Sequence, residues 1–134
     1  MTASVVYEGD LRCEITHNQS RTIIETDAPT DNRGKGERFS PTDLVGVALG
    51  TCAITTMGMK AMDMGIDLRG TTIDIQKHMR PDPRRIARLD VVLKMPAGLE
   101  LDDKSRTILE NTGNNCPVAK SLSAELDMQL VYNW

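Results

Sequence analysis

The segment from Leu44 to Met59 (LVGVALGTCAITTMGM) carries no charged side chain, and nothing else in the chain restricts its fold as strongly. A helix start precedes it. Ser40 suits the N-cap, Pro41 the first helical position and Asp43 the third, close to a capping box, while Phe39 and Leu44 flank the cap as a hydrophobic staple. The helix is expected from Pro41 to about Met64, with Gly65 as its stop. A helix apolar nearly all round is one buried on most sides. Gly46, Gly50 and Gly58 each cost about 1 kcal/mol of helix propensity relative to Ala. Their presence implies close approach of another backbone, from a second helix or from the same helix of a partner subunit. Met57, Met59, Met62 and Met64 crowd the second half and would give a flexible apolar lining.

Asp43, Lys60 and Asp63 border or interrupt this helix, so no apolar run is expected to reach the roughly 18 residues of a membrane span. A chain of 134 residues is expected to form a single domain, 1–134, whose small core leaves room for an oligomer to help. Its net charge is −3 and it has only four aromatic residues, Tyr7, Phe39, Tyr132 and Trp134. That composition argues against a nucleic-acid partner, which requires stacking platforms or concentrated positive charge. The basic run Arg80, Arg84, Arg85 and Arg88 is broken by prolines and reads as a solvated turn. Cys13, Cys52 and Cys116, in a chain opening Met-Thr-Ala-Ser, point to a reducing cytoplasm rather than a disulfide framework.

The first thirty residues alternate imperfectly, with Val5 and Tyr7, then Leu11, Cys13 and Ile15, then Thr22 to Ile24, which fits two or three antiparallel strands. Ala28 to Arg38 is a loop, rich in Gly and charge, of a length that often serves a site. After the central helix come strands at Thr71–Met79 and Ile86–Met95, joined through Arg80-Pro81-Asp82-Pro83. A polar helix is expected from about Asp102 to Thr112, stopping at Gly113; Cys116-Pro117 then opens a short helical turn through Lys120. Ala124–Tyr132 reads as a half-buried closing strand.

Phosphate-binding and hydrolase motifs are missing, and neither the two histidines nor the cysteines have metal-ligand or Cys-x-x-Cys spacing, so neither a metal nor a cofactor is expected. Two cysteines occupy distinct settings. Cys116 precedes Pro117 at a helical start, where free amides favour a thiolate, so its pKa is expected to fall. Cys52 lies about three turns inside the apolar helix, where burial opposes ionisation, so a cation must be brought to it before it reacts. Core filling is the plainer reading for a cysteine on an apolar helix, and for Cys13 on its strand. Two thiols on two helices form a redox pair only if the fold brings them together.

Ser40-Pro41-Thr42-Asp43-Leu44 through Ala48-Leu49-Gly50-Thr51-Cys52, followed by Cys116-Pro117-Val118-Ala119-Lys120-Ser121-Leu122, resembles the OsmC/Ohr family of thiol peroxidases. The resemblance covers nearly the whole chain. It implies an α+β fold, the OsmC-like fold, with antiparallel sheets packed around a long central buried helix and two chains intertwined as a homodimer. It implies a peroxidase that reduces a small organic hydroperoxide at the dimer interface and is recycled by a dithiol reductant. By matching position, Cys52 would be the attacking thiol and Cys116 the resolving one.

In that family an arginine from the N-terminal strands holds the thiolate, and a glutamate after the helix-starting proline holds the arginine. Arg12 matches the arginine, with Arg21 as the second choice. At the glutamate position this chain has Thr42, which cannot form an ion pair. Glu37 in the preceding loop is a candidate substitute. The resemblance therefore leaves two readings: a peroxidase, or a non-enzymatic OsmC-like binding module or redox sensor with an apolar interface pocket.

Overall fold

Three strands, β1 (Ala3–Gly9), β2 (Arg12–His17) and β3 (Ile23–Asp27), form an antiparallel sheet in the order β1-β2-β3. The computed structural model describes every residue, Met1–Trp134. The β1–β2 turn is tight, because Gly9 pairs with Arg12 and the two residues between them, Asp10 and Leu11, have φ of 49° and 62°. Leu11 thus belongs to the turn and not to the strand expected of it. A single 3-10 turn (Thr30–Asn32) interrupts the loop that follows β3. Ser40 and Asp43 form the expected capping box: the Asp43 N–H donates to Ser40 Oγ at 3.1 Å and the Ser40 N–H to Asp43 Oδ2 at 2.7 Å. The staple contributes less than expected, since Phe39 stays 60% exposed.

Residues 1–45 are one compact unit and residues 46–134 another. The first unit has no apolar core. Its buried residues are Thr26, Asp27 and Ser40, while Val5, Val6, Tyr7, Ile23 and Ile24 are exposed.

The second unit contains most of helix α1 (Pro41–Asp63), strands β4 (Thr72–Pro81) and β5 (Arg84–Lys94), helices α2 (Asp103–Asn114) and α3 (Pro117–Ser121), and strand β6 (Asp127–Asn133). α1 ends as expected, with Gly65 at φ 68° and the Ile66 N–H donating to the Ala61 carbonyl at 2.8 Å. Sheet order is β4-β5-β6. β4 and β5 are antiparallel, joined by a two-residue turn, but β6 lies parallel to β5. The long connection through α2 and α3 allows that direction, which a hairpin does not.

α1 is buried along one stripe, Leu49, Ala53, Met57 and Ala61, rather than on most sides; Met59 and Met62 are exposed. By length and composition alone α1 is also long and apolar enough to cross a membrane, with a mean hydropathy of 1.4, contrary to the sequence expectation. Its stripe nevertheless packs on its own sheet. A Cβ on Gly46 would lie 2.9 Å from Ile75, and one on Gly50 would lie 3.1 Å from Ile75 and 3.3 Å from Ile73. These glycines make room for sheet side chains rather than for a second helix, and Gly58 faces open space.

The basic run differs as well. Arg80 belongs to β4, and Arg84, Arg85 and Arg88 to β5. Arg85 pairs with Glu125, and Arg88 bonds Asp90 at 2.6 Å, so the run lies on two strands, with two of its arginines held by carboxylates, and the turn is confined to Asp82-Pro83. α2 begins at its cap Asp102, whose Oδ1 accepts the Ser105 N–H at 2.7 Å, and it continues through Gly113 instead of stopping there.

Candidate active site

The second unit brings Cys52 and Cys116 together. Cys52 is half-buried on α1; Cys116 is wholly buried as the N-cap of α3; both are free thiols. The Ala119 N–H donates to Cys116 Sγ at 3.5 Å. This is the amide stabilisation expected at a helix start, yet the Cys116 thiol is pushed up in pKa, not down. Burial is the main cause, the amides of Ala119 and Val118 oppose it, and the Cys52 side chain, a hydrogen-bonding neighbour, raises it further. A helix of five residues has too small a macrodipole to offset complete removal from water.

The floor beneath this pair is built from α1, α2 and β6. Tyr132 on β6 donates from its hydroxyl to Asn114 Oδ1 at 2.9 Å and lies 3.4 Å from the Glu110 carbonyl oxygen. Burial, with smaller contributions from Glu110 and Cys116, holds Tyr132 well above the ordinary phenol range. Gly113 sits where Met57 and the Tyr132 hydroxyl converge, and its carbonyl accepts the Cys116 N–H at 3.2 Å. Met57 is therefore core, while Met59 and Met62, expected beside it as one apolar lining, lie on the exposed side of α1.

Arg12 occupies the first unit, on β2, with its side chain 24% exposed. Its Nε donates to Asp27 Oδ1 at 2.7 Å and its Nη2 to Asp27 Oδ2 at 2.8 Å, a bidentate fork. Nη2 also donates to Glu37 Oε2 at 2.8 Å, so the loop glutamate does reach the arginine. The Asp27 side chain is only 3% exposed. The Arg12 guanidinium holds the Asp27 carboxyl below the usual carboxylate range, and Asp27 with Glu37 in turn raises Arg12.

Sequence reasoning missed Asp27, the main partner. The available signal was register: Arg12 and Asp27 stand directly opposite each other on β2 and β3, a cross-strand pair of opposite charge. Arg21, the second choice, is an exposed turn residue with φ 61°. Cys13, expected in a core, is half-buried on a sheet that has none.

Comparison with known proteins follows the same lines. The family model described as OsmC-like protein matches residues 34–131. A crystal structure of an osmotic stress induced and detoxification response protein from Psychrobacter arcticus superimposes with a TM-score of 0.94 at 45% identity, covering 99% of this chain and 96% of that one. An organic hydroperoxide resistance protein from Legionella pneumophila gives a TM-score of 0.77 at 13% identity, over 100% of this chain and 98% of its own. The organic hydroperoxide resistance protein OhrB of Bacillus subtilis gives 0.69 at 18% identity, over 99% and 98%. The latter two resemblances establish fold alone. No curated protein sequence gives a significant match. The match across residues 34–131, together with 45% identity over nearly full length, places the chain in the OsmC-like protein family.

Proposed function

We propose that the chain is a cytoplasmic, homodimeric, cysteine-dependent peroxidase that reduces small organic hydroperoxides, its two units acting as one OsmC-like domain. The observation that carries this reading is the pairing of a half-buried thiol, Cys52, with a fully buried one, Cys116. The roles follow from access. Cys52, as thiolate, attacks the outer peroxide oxygen; the O–O bond breaks, the alkoxide takes up a proton and leaves as the alcohol, and sulfur becomes a sulfenic acid. Cys116, held protonated by burial, then attacks that sulfur; the S–OH bond breaks, the hydroxyl leaves with the Cys116 proton as water, and a disulfide forms. One hydroperoxide has gained two electrons from two thiols. A dithiol reductant restores the pair by two exchange steps. The family resemblance assigns Arg12 the role of the cation that Cys52 chemistry requires.

The dimer is supported by what each unit leaves uncovered. A three-stranded sheet exposing Val5, Val6, Tyr7, Ile23 and Ile24 lacks the burial that gives such a sheet independent stability. The unburied side of α1, with Met59 and Met62, lacks a cover of the same kind.

The test is thiol stoichiometry after one equivalent of cumene hydroperoxide. Loss of two thiols in the wild type, and no disulfide in Cys52→Ser, is expected. Thiols unchanged over minutes would refute the peroxidase, and a monomer by light scattering would refute the dimer.

A further inference from the structure

Arg12 is held more rigidly than an ordinary surface arginine. Its Nε and Nη2 both engage Asp27, whereas Glu37, whose side chain is 59% exposed, adds one further contact to Nη2. Asp27 has a second task, because its Oδ2 also accepts the Glu37 N–H at 3.1 Å. Its own N–H donates to the Phe39 carbonyl at 3.1 Å, and the next amide, of Ala28, donates to the Leu11 carbonyl at 3.1 Å. Leu11, immediately before Arg12, is in the left-handed region at φ 62°, which a branched side chain adopts only when its surroundings impose it. The loop is sealed on the other side by Gly34, where a Cβ would fall 1.5 Å from the Ala28 carbonyl oxygen. The Asp27 carboxylate itself gathers three of these bonds, from Arg12 Nε, Arg12 Nη2 and the Glu37 N–H, while the backbone contacts fix the strand end and the loop around it. The bonds to Arg12 leave the Nη1 edge of the guanidinium uncommitted to either carboxylate.

We propose that Asp27 is the positioning residue of Arg12: its buried carboxylate grips one edge of the guanidinium and closes the 28–39 loop, so that the other edge is held in a fixed orientation for the anion-holding role proposed for Arg12. This deepens the peroxidase reading, on which it rests, and assigns to a strand residue the task that Thr42 cannot perform. Asp27 touches neither thiol chemistry nor substrate; it acts through Arg12. Charge and position pull in opposite directions in the test. Removing the negative charge of Asp27 while leaving Arg12 in place makes the guanidinium a stronger attractor of an anion, which would favour thiolate. Losing the orientation does the reverse.

The experiment uses full-length protein in a Cys13→Ser background, with two readouts. One is the single-turnover rate of thiol loss with cumene hydroperoxide. The other, in the Cys116→Ser variant of that background, is the pH profile of Cys52 alkylation by iodoacetamide. Asp27→Asn is expected to slow the peroxide reaction about ten- to a hundredfold, the range that small misplacements produce, and to move the alkylation profile to higher pH. Asp27→Glu should recover most of the rate, and Glu37→Gln should lose only about threefold, having removed a single exposed contact. Arg12→Lys combined with Asp27→Asn should be no slower than Arg12→Lys alone.

A rate for Asp27→Asn within about twofold of the parent, a profile moved to lower pH, or multiplying effects in the double variant would overturn the inference. Should Asp27→Asn fail to fold, Asp27→Ser read by the same two measurements decides, and a rate and an alkylation profile matching the parent overturn the inference. If the parent protein does not react with peroxide yet the alkylation profile still moves upward, the peroxidase reading fails while the positioning of Arg12 stands.

Discussion

Replacing Gly113 by Ala sets two forces of known sign against each other. Helix propensity alone favours the variant by up to about 1 kcal/mol, since Gly113 lies within α2 and has no positive φ that would require glycine. Packing opposes it. The new Cβ would stand 2.6 Å from Tyr132 Oη, 2.8 Å from Met57 Sδ and 3.2 Å from Met57 Cγ, whereas non-bonded carbon contacts are comfortable at about 3.5–4.0 Å. Something must move by most of an ångström. Met57 is fully buried, and the Tyr132 hydroxyl is anchored on Asn114. Overpacking of this kind costs about 1–3 kcal/mol, so the net result is a loss of about 0–2 kcal/mol. The urea midpoint of the reduced protein at fixed concentration measures it.

A double-mutant cycle identifies the cause. Tyr132→Phe alone should cost about 1 kcal/mol for its hydrogen bonds, but it removes the atom nearest the new methyl, so Gly113→Ala should cost less in its background. The expected coupling is about 1 kcal/mol. A Gly113→Ala protein more stable than the wild type, or strict additivity with Tyr132→Phe, would refute the reasoning. Because the Gly113 carbonyl accepts the Cys116 amide, the variant should also react faster with a bulky aromatic disulfide at Cys116.

Three further outcomes follow from the same geometry. Leu11→Gly relieves a φ of 62° and should stabilise the protein by about 1 kcal/mol in thermal or urea unfolding, given the cost of the left-handed region for a branched residue; a loss would mean that the strain has been misread. Cys116 and Tyr132 both have pKa values raised by the fold above ordinary values of 9.0 and 10.0. The unfolded chain therefore releases protons that the folded one keeps, and their contribution, complete below about pH 9, should decline as pH rises further, less so in Cys116→Ser/Tyr132→Phe. Gly34→Ala places a methyl inside the Ala28 carbonyl and should open the loop, detaching Glu37 from Arg12, visible as proteolytic cleavage within residues 28–39 that the parent resists.

By itself the sequence determined the local elements, because their signals are short-range. The capping box at Ser40 and Asp43, the Gly65 stop, the helix start near Asp102 and the strand patterns of β4 and β5 each depend on neighbours within a few residues, and each formed within a residue or two of expectation, while β6 begins three residues later than expected. The resemblance carried by Cys52 and Cys116 likewise fixed the family.

Tertiary structure decided what depends on residues far apart in the chain. The helix start at Cys116 by itself predicts a lowered pKa, whereas the burial that overrides two amides comes from packing. Gly113 reads as a helix stop until Met57 and Tyr132 arrive beside it. β6 runs parallel to β5 because of a connection whose path no local pattern encodes. Above all, Asp27 is one polar residue at the end of a strand until β2 and β3 align and set its carboxylate opposite Arg12. Cap and turn energies are local, whereas desolvation and ion pairing depend on what the fold brings alongside.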